Sequence, residues 1–192
     1  MKEQYSSSKY WDSFFRDQVR LETDRAVVIL TAAMIDQGLE DVLRARLVQL
    51  STSEDPLFDS AYAPLADFNA KIDLAFRIGL LPPNYAKGLH LIRRIRNEFA
   101  HNVSGCTFDD PRIRNRVMEL DKALGVAKIS THRASFSAGT RGDFETTASW
   151  IIWRMWSIAE SIEAIRAPDE WKPLDPQDKK GDVAPGPTKE TV

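Results

Sequence analysis

The chain contains one cysteine, Cys106. An intrachain disulfide framework and a multi-cysteine zinc site are both excluded, and a reducing cytoplasm is the expected compartment. Three histidines (His90, His101, His132) show neither an HExxH nor a Cys-His spacing, so no metal or cofactor is expected. Glycine-rich phosphate loops of the GxGxxG or GxxxxGK[ST] kind are missing. No apolar run reaches 18 residues and none near the start reads as a signal peptide, so a membrane partner is not expected. Strand-like alternation is absent, which removes the strand–Ser–helix elbow of a serine hydrolase. Neither charge sign dominates: 26 bases stand against 28 acids, a net charge of −2. Nucleic-acid binding would have to rest on a local patch.

What remains is helical. With 192 residues, 43% hydrophobic and 28% charged, the composition is that of one soluble globular domain. Apolar residues from Tyr10 to Val19 suggest a short helix over about 9–19. Thr23-Asp24 then offers an N-cap to a long helix reaching about Leu50. Within it Gly38 costs roughly 1 kcal/mol relative to Ala, so a second helix is expected to cross closely there. Pro64 suits a first helical turn and opens a helix over about 64–78. Gly79 fits its left-handed end, with Leu80-Leu81 folding back. Pro82-Pro83 starts the next helix, which runs to about Asn102. Asp110-Pro111 opens another that stops at Gly125. Residues 126–141 read as loop. Asp143 caps a last helix through Ile165, whose Trp150, Trp153 and Trp156 suggest core or dimer contact. The fold class is therefore all-α, a single bundle of five to six helices over 1–168. A tail follows over 169–192, disordered from about Leu174.

The stretch that asks for chemistry is Leu89 to Asn102. Leu89, Ile92 and Phe99 define an apolar stripe, and Arg96 occupies the i+7 position within it. A guanidinium cannot shed its proton, so an inward-facing Arg96 needs an acceptor or an anion. Asp36 and Glu40 on the long helix could supply it. Alternatively, Asp36, Glu40 and Arg44 (i, i+4, i+8) form a solvated ladder. His101, five residues on, is the side chain suited to proton transfer near neutral pH. From Lys87 to Arg116 seven bases face three acids, a local +4 that makes Arg93, Arg94 and Arg112 candidate phosphate contacts. A helix-turn-helix over 64–78 and 83–102 fits poorly, because reading helices use their N-terminal residues and these arginines lie in the C-terminal half.

Three runs carry a family resemblance: Asp67-Phe68-Asn69-Ala70-Lys71-Ile72, then Ile78-Gly79-Leu80-Leu81, then Ile92 through His101, followed by Phe108 and an acidic helix cap. Together they resemble the bacterial mannitol operon repressor family, from about Arg25 to Leu120. The pattern Arg96-Asn97-x-x-x-His101 also resembles the Arg-x4-His motif of HEPN-type all-helical domains. The first resemblance implies a cytoplasmic transcription regulator, working as a homodimer or with a protein partner, through protein or weak RNA or DNA contacts. The second implies a metal-independent endoribonuclease, a toxin or defence component. There Arg96 would hold the scissile phosphate, His101 would move the proton and Asn97 would orient one of them, with two protomers sharing a cleft. A plain structural role for Arg96 and His101, as helix tie and helix cap, stands beside both.

Overall fold

The computed structural model describes residues 13–102, 105–126 and 137–168. Among the described residues five α-helices follow a helical segment that ends in one π turn, Phe15–Val19. They are α1 (Asp24–Arg46), α2 (Phe68–Arg77), α3 (Pro83–His101), α4 (Pro111–Leu124) and α5 (Gly139–Ser161). Among the described residues there is no strand, and no helix is long and apolar enough to cross a membrane. Tyr10, Trp11 and the expected tail over 169–192 lie outside the described residues.

Local chemistry sets most boundaries. The Thr23 side chain accepts from the Ala26 amide, Asp67 from Asn69 and Asp110 from Arg112, each taking an amide that a first turn leaves unpaired. Pro83 and Pro111 occupy first-turn positions, where a missing N–H costs nothing. Gly79 takes φ +76°, and the Leu80 and Leu81 amides turn back onto the Ala75 carbonyl, burying Leu81. Gly125 ends α4 at φ +69°.

Three expected boundaries move. The first helix stops at Arg46 rather than Leu50, because the Arg46 carbonyl accepts from the Ile165 amide and its guanidinium donates to the Glu163 carbonyl. Pro64 lies in a turn. The Leu65 amide closes a loop onto the Leu57 carbonyl, and Asp67 starts α2 instead. The last helix begins at Gly139, a turn before Asp143, and ends at Ser161, leaving Ile162 and Ile165 outside it.

α1 and α5 run parallel. Asp24 meets Arg141, Gly38 meets Met155 and Arg46 meets Glu163, each pair 117 residues apart. A Cβ on Gly38 would stand 3.4 Å from the Met155 side chain, the close crossing expected there. α3 runs against both: Arg25 in the first turn of α1 reaches the end of α3, and α3 is antiparallel to α4 through Asn84–Ala123 and Glu98–Arg116. α5 is buried nearly all round near its start, where Phe144 through Ser149 are all covered, the polar Glu145, Thr146, Thr147 and Ser149 included, as befits a central helix. One contiguous core joins all five helices. Phe108 stacks between Phe99 and Phe144, at 5.5 Å and 5.3 Å, and thereby fixes the loop ahead of α4.

Candidate functional site

α3 carries the Arg96-Asn97-x-x-x-His101 pattern, and its expected stripe of Leu89, Ile92 and Phe99 is fully buried. Gly88, Leu91 and Ile95 are buried beside it, so the buried face extends through Ile95 and not through Arg96. Gly88 lies where α4 packs closely. A Cβ there would lie 3.0 Å from Leu124 Cδ1, so α4 sits against the Gly88–Leu91–Ile95 side. Arg96 is left at the edge of the stripe and is exposed. Its Nη1 donates to the neighbouring Asn97 Oδ1 at 3.0 Å. Among the described residues no hydrogen bond or ion pair joins it to Asp36, Glu40 or His101. The expectation of an Arg96 buried against those carboxylates is therefore wrong.

The buried cation is Lys71. Its residue is 4% exposed, and its Nζ lies 2.9 Å from Asp36 Oδ1 and 2.8 Å from Glu40 Oε2. Arg44 adds a second donor to Glu40 at 2.8 Å, contacts Asp59 and Asp55, and stacks its guanidinium 4.3 Å from the Phe58 ring centroid. Asp36 and Glu40 thus belong to a network that ties α1, α2 and the 51–63 loop together. Burial opposes the Glu40 charge, but hydrogen bonds from Lys71 and Arg44 outweigh it and hold the carboxyl below its ordinary range. Burial likewise opposes the Lys71 ammonium, and its bonds to Asp36 and Glu40 raise it above the ordinary lysine range. Neither acid is a binding residue of the α3 face. The signal for Lys71 lies in the sequence: it interrupts the Phe68–Ile72–Ala75 stripe as Arg96 interrupts its own.

At the C-terminal end of α3 an open hollow of about 380 Å³ is lined by Asn97, Glu98, His101 and Asn102, with Arg112 facing them from α4. Arg25 donates to the Asn102 carbonyl at 2.6 Å and so covers the end of α3, the role a capping His101 would have had. A base in the first turn of α1 opposes that helix's own dipole, which is the clue that Arg25 serves another element. Glu98 is held by Arg116 at 2.8 Å. Asp24 accepts from the Phe108 amide and from Arg141, which fixes the loop leading to Arg112. Arg96, His101 and Arg112 are all exposed, and among the described residues none pairs with a carboxylate. Asn97 and His101 come together with Arg112 at one end of the bundle, and Arg96 is linked to them through its bond to Asn97; Arg93 and Arg94 do not line this hollow. Arg94 lines a separate hollow with Asp73, Lys87, His90 and Glu119. Arg93 is half-buried, with its Nε unpaired.

The end face can therefore hold an anion on guanidinium groups and place an imidazole beside it. Among the described residues no hydrogen bond or ion pair fixes the His101 ring in one orientation. Among the described residues no three metal-ligating side chains converge. No protein family, characterised protein or solved structure matches the chain.

Proposed function

We propose that the chain is a cytoplasmic helical regulator of the mannitol operon repressor type, which acts by binding and touches nucleic-acid phosphates weakly through the Arg96–His101–Arg112 face. The observation that carries this reading is that exposed Arg112 and His101 line one open hollow at the end of α3, with exposed Arg96 donating to Asn97 on its rim and the Glu98 carboxylate held by Arg116. Phosphate contacts of this kind carry no base information. Sequence-independent, salt-sensitive binding follows, with Kd values of order 10⁻⁴–10⁻⁶ M at physiological salt. Base reading is disfavoured because α3 is flanked by α1, α2 and α4 and its arginines lie in its C-terminal half.

A second reading, a metal-independent endoribonuclease, draws on the Arg96–Asn97 hydrogen bond with His101 exposed one turn further on. A second copy could bring a matching set to the same cleft, Arg96 holding the scissile phosphate and His101 moving the proton of the attacking 2′-hydroxyl. Labelled RNA incubated with the full chain in EDTA separates the two. Retention on a filter without cleavage, weakened in Arg112→Ala, is expected. Cleavage lost in both Arg96→Ala and His101→Ala, with helical content unchanged, would replace the first reading by the second. Absence of retention would refute it.

A further inference from the structure

The opposite end of α3 borders a second hollow. Tyr85 of α3 and Trp150, Trp153 and Arg154 of α5 wall a cavity of about 610 Å³, closed by Leu81 and Ile158. The three rings form a tilted chain, with centroids 5.5 Å apart between Tyr85 and Trp150 and 6.4 Å between Trp150 and Trp153. All three are half-buried and line the hollow. Arg154 is exposed and is the one charged residue on the wall. Among the described residues, neither Arg154 nor the Tyr85 hydroxyl has a hydrogen-bond or ion-pair partner. Burial pushes the Tyr85 phenol up to about 12, against the pull of Arg154, which keeps it a neutral donor across the physiological range. The hollow along the α1–α5 seam, beside Gly38 and Trp156, has the opposite sign, with Asp41 and Glu160 on its rim.

An apolar, aromatic-walled cavity of this volume with two or three convergent polar groups is the general form of a small-molecule site. We propose that it binds a small aromatic carboxylate, with its ring against Trp150 and Trp153 and its carboxylate on the Arg154 guanidinium, the Tyr85 hydroxyl acting as second donor. The guanidinium selects the anion, since its planar donors match a carboxylate bidentately. The indole faces supply sequestered apolar area and ring stacking. This site is independent of the Arg96–His101 face.

The test titrates naphthalene-2-carboxylate, and the neutral naphthalene-2-carboxamide as control, into the ¹⁵N-labelled full chain. The indole N–H signals of Trp150 and Trp153 are identified by their loss in Trp150→Phe and Trp153→Phe. Both signals shift saturably, and the carboxylate binds at least about tenfold tighter than the carboxamide, the effect of one charge-assisted contact. Arg154→Ala, at an exposed position, keeps its helical circular dichroism and loses that preference. Tyr85→Phe weakens the carboxylate a few-fold. Four results overturn the proposal: no saturable shift; equal affinity for both probes; a preference that survives Arg154→Ala; or shifts that track protein concentration without any probe, which would mean that a second copy covers the hollow.

Discussion

Replacing Lys71 with Met keeps the aliphatic stem and removes the charge, leaving Asp36 and Glu40 facing each other without their shared cation. Stranding one partner of a fully buried ion pair costs about 3–5 kcal/mol. Here the cost is smaller, since the Asp36 side chain is 31% exposed, that of Glu40 18%, and Arg44 stays on Glu40. We expect a loss of about 2–3 kcal/mol near neutral pH. Urea unfolding followed by circular dichroism should show it as a midpoint lowered by about 1 M, for a slope of roughly 2 kcal/mol/M. The pH dependence has a definite sign. Glu40 is held below its ordinary 4.5 in the folded chain, so its contribution is complete above that value and is lost as pH falls through the lowered one. Lys71 is raised above 10.5, so its contribution is complete below that value and lost as pH rises through the raised one. In acid the stranded Glu40 carboxylate of the variant protonates and no longer needs a cation. The gap between wild type and Lys71→Met should therefore narrow below about pH 4. A loss under about 0.5 kcal/mol at pH 7, or a gap that widens in acid, would refute a buried Lys71 as the clamp between α1 and α2.

Gly38 and Gly88, both inside helices, should respond oppositely to alanine. At Gly38 the new methyl meets only the Met155 side chain at 3.4 Å, so the helix-propensity gain of up to about 1 kcal/mol should survive. At Gly88 it meets Leu124 at 3.0 Å and 3.2 Å, and overpacking should cost about 1 kcal/mol net; thermal melts of both variants decide it. Thr31 is fully buried and its hydroxyl has no partner among the described residues, so Thr31→Val should be neutral or stabilising by up to about 1 kcal/mol in the same melts.

Helix ends written in short-range chemistry are legible in the residues themselves. Thr23, Asp110-Pro111, Pro82-Pro83, Gly79 and Gly125 act within a turn of their own position, and each boundary falls where those residues put it. The ends that moved answer to distant partners. Arg46 stops α1 through Glu163 and Ile165, and the start of α5 is held by Arg141 and Glu145, whose carboxylate takes the Ser137 amide and the Arg141 Nε. The site is half legible. A cation interrupting an apolar stripe is the right signal, but it marks Lys71, which α1 covers, and not Arg96, which is exposed. Leu89, Ile92 and Phe99 are buried as their spacing implies, but the extent of the buried face depends on neighbours, and α4 packs against Gly88 so closely that a Cβ would stand 3.0 Å from Leu124. The grouping of Asn97, His101 and Arg112 needs α4 brought antiparallel to α3, which no short-range pattern encodes.

The central claim is that Arg96 and Arg112 meet phosphates, and the salt dependence of binding measures it most directly. Fluorescence anisotropy of a labelled single-stranded RNA across a salt series gives the slope of log K against log salt for wild type and for the Arg96→Ala/Arg112→Ala double variant. Each single-strand phosphate contact contributes about 0.7 to that slope, so the double variant should be shallower by about 1.4. An unchanged slope, or a wild type that does not bind at the lowest salt, would contradict the account.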